Sequence, residues 1–153
     1  MAALVSTIDI AVPPPDVFAY ATDPTTFPEW QFDVVRVRME TGDAATVGSR
    51  FATVRRIGGA ERTMTQEITE VAAPHTWAAR GMDGPIRPRA TVTIEPLPDG
   101  TGSRATFTLD FEGRGLGDLL LPLVRRMAAK GAPVSYRRLK ELMESRHTKP
   151  ASL

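Results

Sequence analysis

Three polar side chains fall where the surrounding pattern is apolar: Arg55, Gln66 and Tyr136. Arg55 shares the parity of Phe51 along its run, Gln66 lies between Met64 and Ile68, and Tyr136 belongs to a helical pattern. A guanidinium, amide or phenol inside an apolar space would orient a carboxylate, phenol or keto group on a bound molecule. The alternative for each is a solvated face. Arg56 beside Arg55 argues that way, and a slip of one residue in a strand reverses the face a side chain takes. Acid–base chemistry finds less support. His75 follows Pro74 in a turn and His147 lies near the end of the chain, and two isolated histidines without matching carboxylates make no metal site. Asp9, Glu67 and Asp110 fall on faces opposite the apolar ones. Gly113-Arg-Gly-Leu-Gly117 is glycine-rich but fits no phosphate loop or dinucleotide fingerprint, and no Gly-x-Ser-x-Gly elbow is present. No catalytic set, metal or cofactor is nominated.

The elements that would position these residues are written in the alternation. Ile8, Ile10 and Val12 alternate with smaller or charged residues, as in a strand with one buried face. Pro13 to Pro15 stop that ladder and open a short helix, and Asp23-Pro24 caps a second one leading to Phe27 and Trp30. Further strands are predicted around Val35 to Met39, Arg50 to Ile57, Arg62 to Val71, Thr76 to Arg80, Arg89 to Glu95 and Ser103 to Glu112, with glycine-bearing turns between them. Leu116, Leu120, Leu123, Met127, Gly131, Ser135, Leu139 and Leu142 then recur at helical spacing, which predicts a long helix to about Ser145, bent or interrupted near Ala129 to Pro133. Such a helix would cover the apolar face of the meander.

The opening, Ile-x-Ile-x-x-Pro-Pro followed by Val17-Phe18-x-Tyr20, Asp23-Pro24, Pro28 and Trp30, resembles the polyketide cyclase/dehydrase and lipid-transport family of the START-like, Bet v 1-like (SRPBCC) superfamily. The resemblance extends over nearly the whole chain. It implies an α+β helix-grip fold: a curved antiparallel sheet of six or seven strands around the C-terminal helix, with two short helices after the first strand. It also implies a ligand cavity between sheet and helix. On this sequence the inward candidates are Val35, Val37, Phe51, Met64, Ile68, Trp77, Ala79, Val92, Ile94, Phe107, Leu109 and Phe111, faced by Leu120, Leu123 and Met127 from the helix. Each is first of all core material. The small residues Ala79, Ala90, Ala105 and Gly131 stand where a sealed core would take larger groups. Trp30 is expected to anchor the second short helix, and Trp77 to form a wall of the cavity.

The resemblance therefore implies binding of a small hydrophobic or aromatic molecule of lipid, polyketide or isoprenoid type. The same cavity could serve a polyketide aromatase/cyclase or dehydratase, or the domain could bind a protein partner without any small ligand. The 153 residues suggest one domain over 1–146 and a flexible polar tail over 147–153. Nineteen basic against eighteen acidic residues, with Arg36, Arg38, Arg55, Arg56, Arg125, Arg126, Arg137 and Arg138 scattered among acids rather than massed, give little support to nucleic acid or a membrane surface as partner. The apolar run Leu119 to Val124 is too short to span a bilayer, so no integral membrane association is expected. Without cysteine or a visible secretory leader the expected home is cytoplasmic, and the chain a monomer or homodimer.

Overall fold

Alternating β-branched and aromatic residues build strands here, and prolines mark where helices begin. The computed structural model describes residues 3–148. In chain order these form β1 (Leu4–Ile10), α1 (Pro14–Ala21), a 3-10 turn (Pro24–Thr26), α2 (Phe27–Trp30), β2 (Val34–Thr41), β3 (Arg50–Ile57), β4 (Ala60–Ala72), β5 (Thr76–Gly81), β6 (Ile86–Pro96), β7 (Ser103–Gly113) and α3 (Gly117–Thr148). The strands make one antiparallel sheet in the order β1-β7-β6-β5-β4-β3-β2, so β2 to β7 meander and β1 returns beside β7. This is the helix-grip arrangement, with seven strands. The first strand ends at Ile10 and does not reach Val12, although Val12 is still buried. Pro14 and Pro15 take the first two positions of α1, where no amide hydrogen is needed. The Asp23 carboxylate caps the next turn by accepting from the Thr25 amide at 3.0 Å.

Register assigns the concave face. Gln66 pairs with Phe51 and Gly81; Ala79 pairs with Ile68 and Ala90; Ala90 pairs with Leu109, and Leu109 with Leu4. Side chains of such a row point the same way. One end of this face is plugged by α2, whose Phe27 ring meets Trp30, Phe51 and Trp77 edge-on at 5.6, 6.0 and 6.3 Å. Edge-on packing of this kind adds to the burial of four large rings.

The helix α3 is about 48 Å long at 1.5 Å per residue and continues through Pro122 and Pro133. The interruption expected near Ala129 to Pro133 does not occur. Ala129 and Pro133 are both exposed, so the carbonyl that loses its partner to the proline can turn to water. The face turned to the sheet is also not the expected one. Gly131, Ser135, Leu139 and Met143 are buried and continue through Ala128, Val124 and Leu121, whereas Leu120, Leu123 and Met127 lie outward, 46, 56 and 40 % exposed. The C-terminal half of α3 is tied down at several points. Lys140 donates from Nζ to the Asp9 carbonyl at 2.6 Å, the Glu144 carboxylate accepts from the Ala11 amide at 2.9 Å, and Ser135 Oγ accepts from the Phe32 amide at 3.1 Å. Gly131 has no side chain because the Phe32 ring occupies the place a Cβ would need. The helix includes His147 and Thr148, which were expected in the tail; 149–153 lie outside the described residues.

Candidate functional site

Two halves of the concave face differ in how they are closed. In the half under α1 and α2, Phe51, Ile68, Trp77, Ala79, Val92, Ile94 and Phe107 are sealed into one core with Phe27 and Trp30. The indole of Trp77 donates to the Ala44 carbonyl at 3.3 Å, so its single polar atom is partnered inside the protein. Six residues expected to line a cavity, Phe51, Trp77, Ala79, Val92, Ile94 and Phe107, thus sit on the floor of a packed interior.

Toward the N-terminal half of α3 the same face is not sealed. Val37, Met64, Pro88, Ala90, Leu109 and Phe111 all keep partial exposure on the concave side. The helix, which packs on β1, β7 and β6, opposes them through the turns bearing Leu121, Val124 and Ala128, again partly exposed. Ala90 presents only a methyl beside Leu109, while Pro88 occupies the place a side chain on Gly81 would need. The result is a partly uncovered apolar strip on the concave side of β5 to β7, alongside α3. Val35 does not join it. A bulge between Val34 and Arg36 breaks the alternation, so Val34 is buried in its place and Val35 is 38 % exposed.

Polar groups meet this face at three points. Gln66 is buried and its Oε1 accepts from Thr53 Oγ1 at 3.4 Å, while its amide nitrogen has no partner among the described residues and is not sealed from solvent. Tyr136 stacks on Phe107, with ring centroids 4.1 Å apart and planes 12° apart, and leans on Trp30 at 6.4 Å. Its hydroxyl makes no hydrogen bond among the described residues and also retains solvent contact. Burial pushes the phenol up to about 12, against a smaller opposing pull from the Arg55 charge. Arg55 itself is claimed by protein acceptors: Nη1 donates to Asp33 Oδ1 at 2.7 Å and Nη2 to Gln31 Oε1 at 2.9 Å. The structure therefore places Gln66, Met64, Val37 and Leu109 on the concave side of the sheet and Tyr136 over Phe107 and Trp30, makes Arg55 a strut between β3 and the α2–β2 connection, and turns Leu120, Leu123 and Met127 outward on the helix. Sequence reasoning missed Leu121, Val124 and Pro88. Their signal was hidden in the run Leu119-Leu-Leu-Pro-Leu-Val124, where every helical phase is apolar. Among the described residues no cluster of three or more His, Asp or Glu could hold a metal ion.

Such an arrangement can hold an apolar body against the strip and offer it two hydrogen-bond donors. A family model described as polyketide cyclase/dehydrase and lipid transport matches residues 1–144. Among solved structures, the di-domain ARO/CYC BexL from the BE-7585A biosynthetic pathway superposes with a TM-score of 0.76 at 14 % identity, covering 97 % of this chain and 48 % of that one. Protein NE0264 from Nitrosomonas europaea gives 0.71 at 20 % identity, covering 95 % and 96 %. A START superfamily protein from Mycobacterium smegmatis gives 0.70 at 15 %, covering 95 % and 97 %. At such identities the likeness is one of fold. No functionally curated protein matches the chain.

Proposed function

The chain belongs to the polyketide cyclase/dehydrase and lipid transport family, and on that premise we propose that it binds a small hydrophobic or aromatic molecule, of lipid, polyketide or isoprenoid type, in a groove along this strip, between the sheet and α3. The observation that carries this reading is the unpartnered, solvent-touching hydroxyl of Tyr136 on an otherwise buried ring, together with apolar side chains left partly uncovered. A donor that no protein acceptor claims and that water can reach is free to bond to an acceptor on a guest. Each 100 Å² of guest surface covered by the groove contributes about 2.5 kcal/mol, and the Tyr136 and Gln66 donors would select a guest with a carbonyl, carboxylate or phenol at one end.

An aromatase/cyclase or dehydratase using the same groove is the second reading. It would need a group that moves a proton at neutral pH. With its phenol pushed up to about 12, Tyr136 stays protonated there, which suits a donor that orients a guest and not a base. The third reading, a module for a protein partner, requires no small-molecule site.

Titration with Nile red and native mass spectrometry of the purified chain separate these. The expected result is saturable one-to-one binding that falls at least about tenfold in Ala90→Trp, whose indole would fill the groove over Leu109, a loss equal to about 1.4 kcal/mol. Unchanged circular dichroism in the variant shows that the fold survives. Absence of saturable binding by the wild-type chain, or binding untouched by Ala90→Trp, would sink the proposal.

A further inference from the structure

The outward side of α3 carries a second apolar stripe. Taking roughly 100° per residue, Leu119 and Leu123 stand about 160° to either side of Leu139, the centre of the buried face, and Leu116 lies in the turn just before the helix. All three are more than half exposed, and Leu116 and Leu119 reach 78 %. Cations flank the stripe. From Asp118 to Glu141 the helix has no acidic residue between them and six basic ones: Arg125, Arg126, Lys130, Arg137, Arg138 and Lys140. Arg125 pairs with Asp110 and Lys140 with Glu144, which leaves Arg126, Lys130, Arg137 and Arg138 with no ion pair among the described residues. Lys130 lies about 180° from Leu139 and Arg126 about 140°, on the leucine side. Winding thus gathers charges that look dispersed in the sequence.

More positive charge sits at the same end of the molecule. The loop before α3 meets the β5–β6 loop, where the Arg114 amide donates to the Pro85 carbonyl at 2.8 Å and Gly117 packs on the same proline. There Arg80, Arg87, Arg89 and Arg114 line a cleft of about 170 Å³, with Glu112 as its one acid. Glu112 is shared by Arg89 at 3.5 Å and Arg114 at 3.2 Å, Arg80 lies 3.6 Å from Glu67, and Arg87 has no ion pair among the described residues. Four arginines and one acid thus line a cleft beside the loop that leads into α3.

From this juxtaposition we infer that the face formed by the first half of α3 and the Arg87–Arg114 cleft docks on the surface of an anionic lipid bilayer. Leucines would enter the acyl boundary, and the arginines and Lys130 would reach lipid phosphates, as amphipathic basic helices do. A second copy of this chain is a poorer occupant, because symmetric pairing sets the same cations against each other. A folded acidic protein would need to match a convex row of side chains, whereas a fluid interface makes no such demand. The docking is independent of which molecule the groove holds.

Co-sedimentation with vesicles tests it, using phosphatidylcholine alone against equal parts phosphatidylcholine and phosphatidylglycerol. The wild-type chain is expected to partition onto the anionic vesicles only and to be released when salt rises from about 0.1 M to about 1 M, which shortens the screening length from roughly 10 to 3 Å. Arg126→Gln/Lys130→Gln should weaken partitioning about 25-fold, and Leu116→Ser/Leu119→Ser about tenfold or more. All four positions are exposed, and Nile red binding by both variants reports that the fold and the groove are intact. Failure of the wild-type chain to bind anionic vesicles overturns the inference. So does equal binding to neutral ones, or binding unaffected by either double substitution. A wild-type dimer that Leu116→Ser/Leu119→Ser turns into a monomer would overturn it in favour of self-association.

Discussion

Tyr136→Phe removes a single hydroxyl from a ring that stays stacked on Phe107, so it isolates the group on which the binding site turns. At neutral pH the hydroxyl has no hydrogen bond among the described residues, and its loss should change stability by no more than about 0.5 kcal/mol. Alkaline solution separates the two proteins. The folded phenol titrates near about 12, above its ordinary value near 10 in the unfolded chain. A raised pKa means that the stability tied to this group is intact below about pH 10 and is lost as pH rises toward the folded value, because the unfolded chain releases its proton first. At about pH 11 the loss is about 1.4 kcal/mol, and well above pH 12 it approaches about 2.7 kcal/mol. The Phe variant has no such loss, so it should match the wild-type chain at about pH 9 and exceed it by about 1.4 kcal/mol at about pH 11. Urea unfolding followed by the fluorescence of Trp30 and Trp77, each only 2 % exposed, reads the difference directly. Two results would refute the reasoning: a loss above about 1 kcal/mol at neutral pH, which would mean a protein partner for the hydroxyl, or parallel curves through pH 11, which would mean a phenol that titrates as it does in water.

The fold makes further demands that can be measured. Ser103→Ala leaves the Val12 carbonyl without the buried hydroxyl that donates to it at 2.6 Å, and should cost about 1–3 kcal/mol in the same urea assay. Gly102→Ala would press a methyl into the backbone of Ile10 and Ala11, which cannot swing aside as a side chain can, and should lower stability by about 1–3 kcal/mol or more. A midpoint unchanged in that variant would show that the approach of the β6–β7 turn to the end of β1 is looser than the structure has it.

Much of the fold was legible because the signals are local. Alternation at Ala105, Phe107, Leu109 and Phe111 admits only a half-buried strand, and Pro13 to Pro15, Asp23-Pro24 and Gly58-Gly59 mark boundaries through backbone chemistry that does not depend on distant residues. The family wording lies in the same stretches, so strand count, helix order and the single sheet followed from it. The site was legible only in part. Gln66, Met64, Val37 and Leu109 lie on the concave side of the sheet and Tyr136 stacks on Phe107 from the helix, although for Gln66 and Tyr136 a solvated face stood as the alternative.

The sequence by itself determined a single antiparallel sheet of six or seven strands, the long last helix and the family resemblance, because these depend on periodicity and turn chemistry within a few residues. Tertiary structure alone decided three things. It chose the phase of α3, since Leu119 to Val124 is apolar on every side and only the anchoring of Ser135, Leu139 and Lys140 to the body of the fold fixes which leucines turn inward. It decided that Phe27 and Trp30 seal one half of the concave face, because that depends on rings from distant segments meeting in space. And it gathered Arg126, Lys130, Arg87 and Arg114 at one end of the molecule, a concentration of charge that a count along the chain averages away.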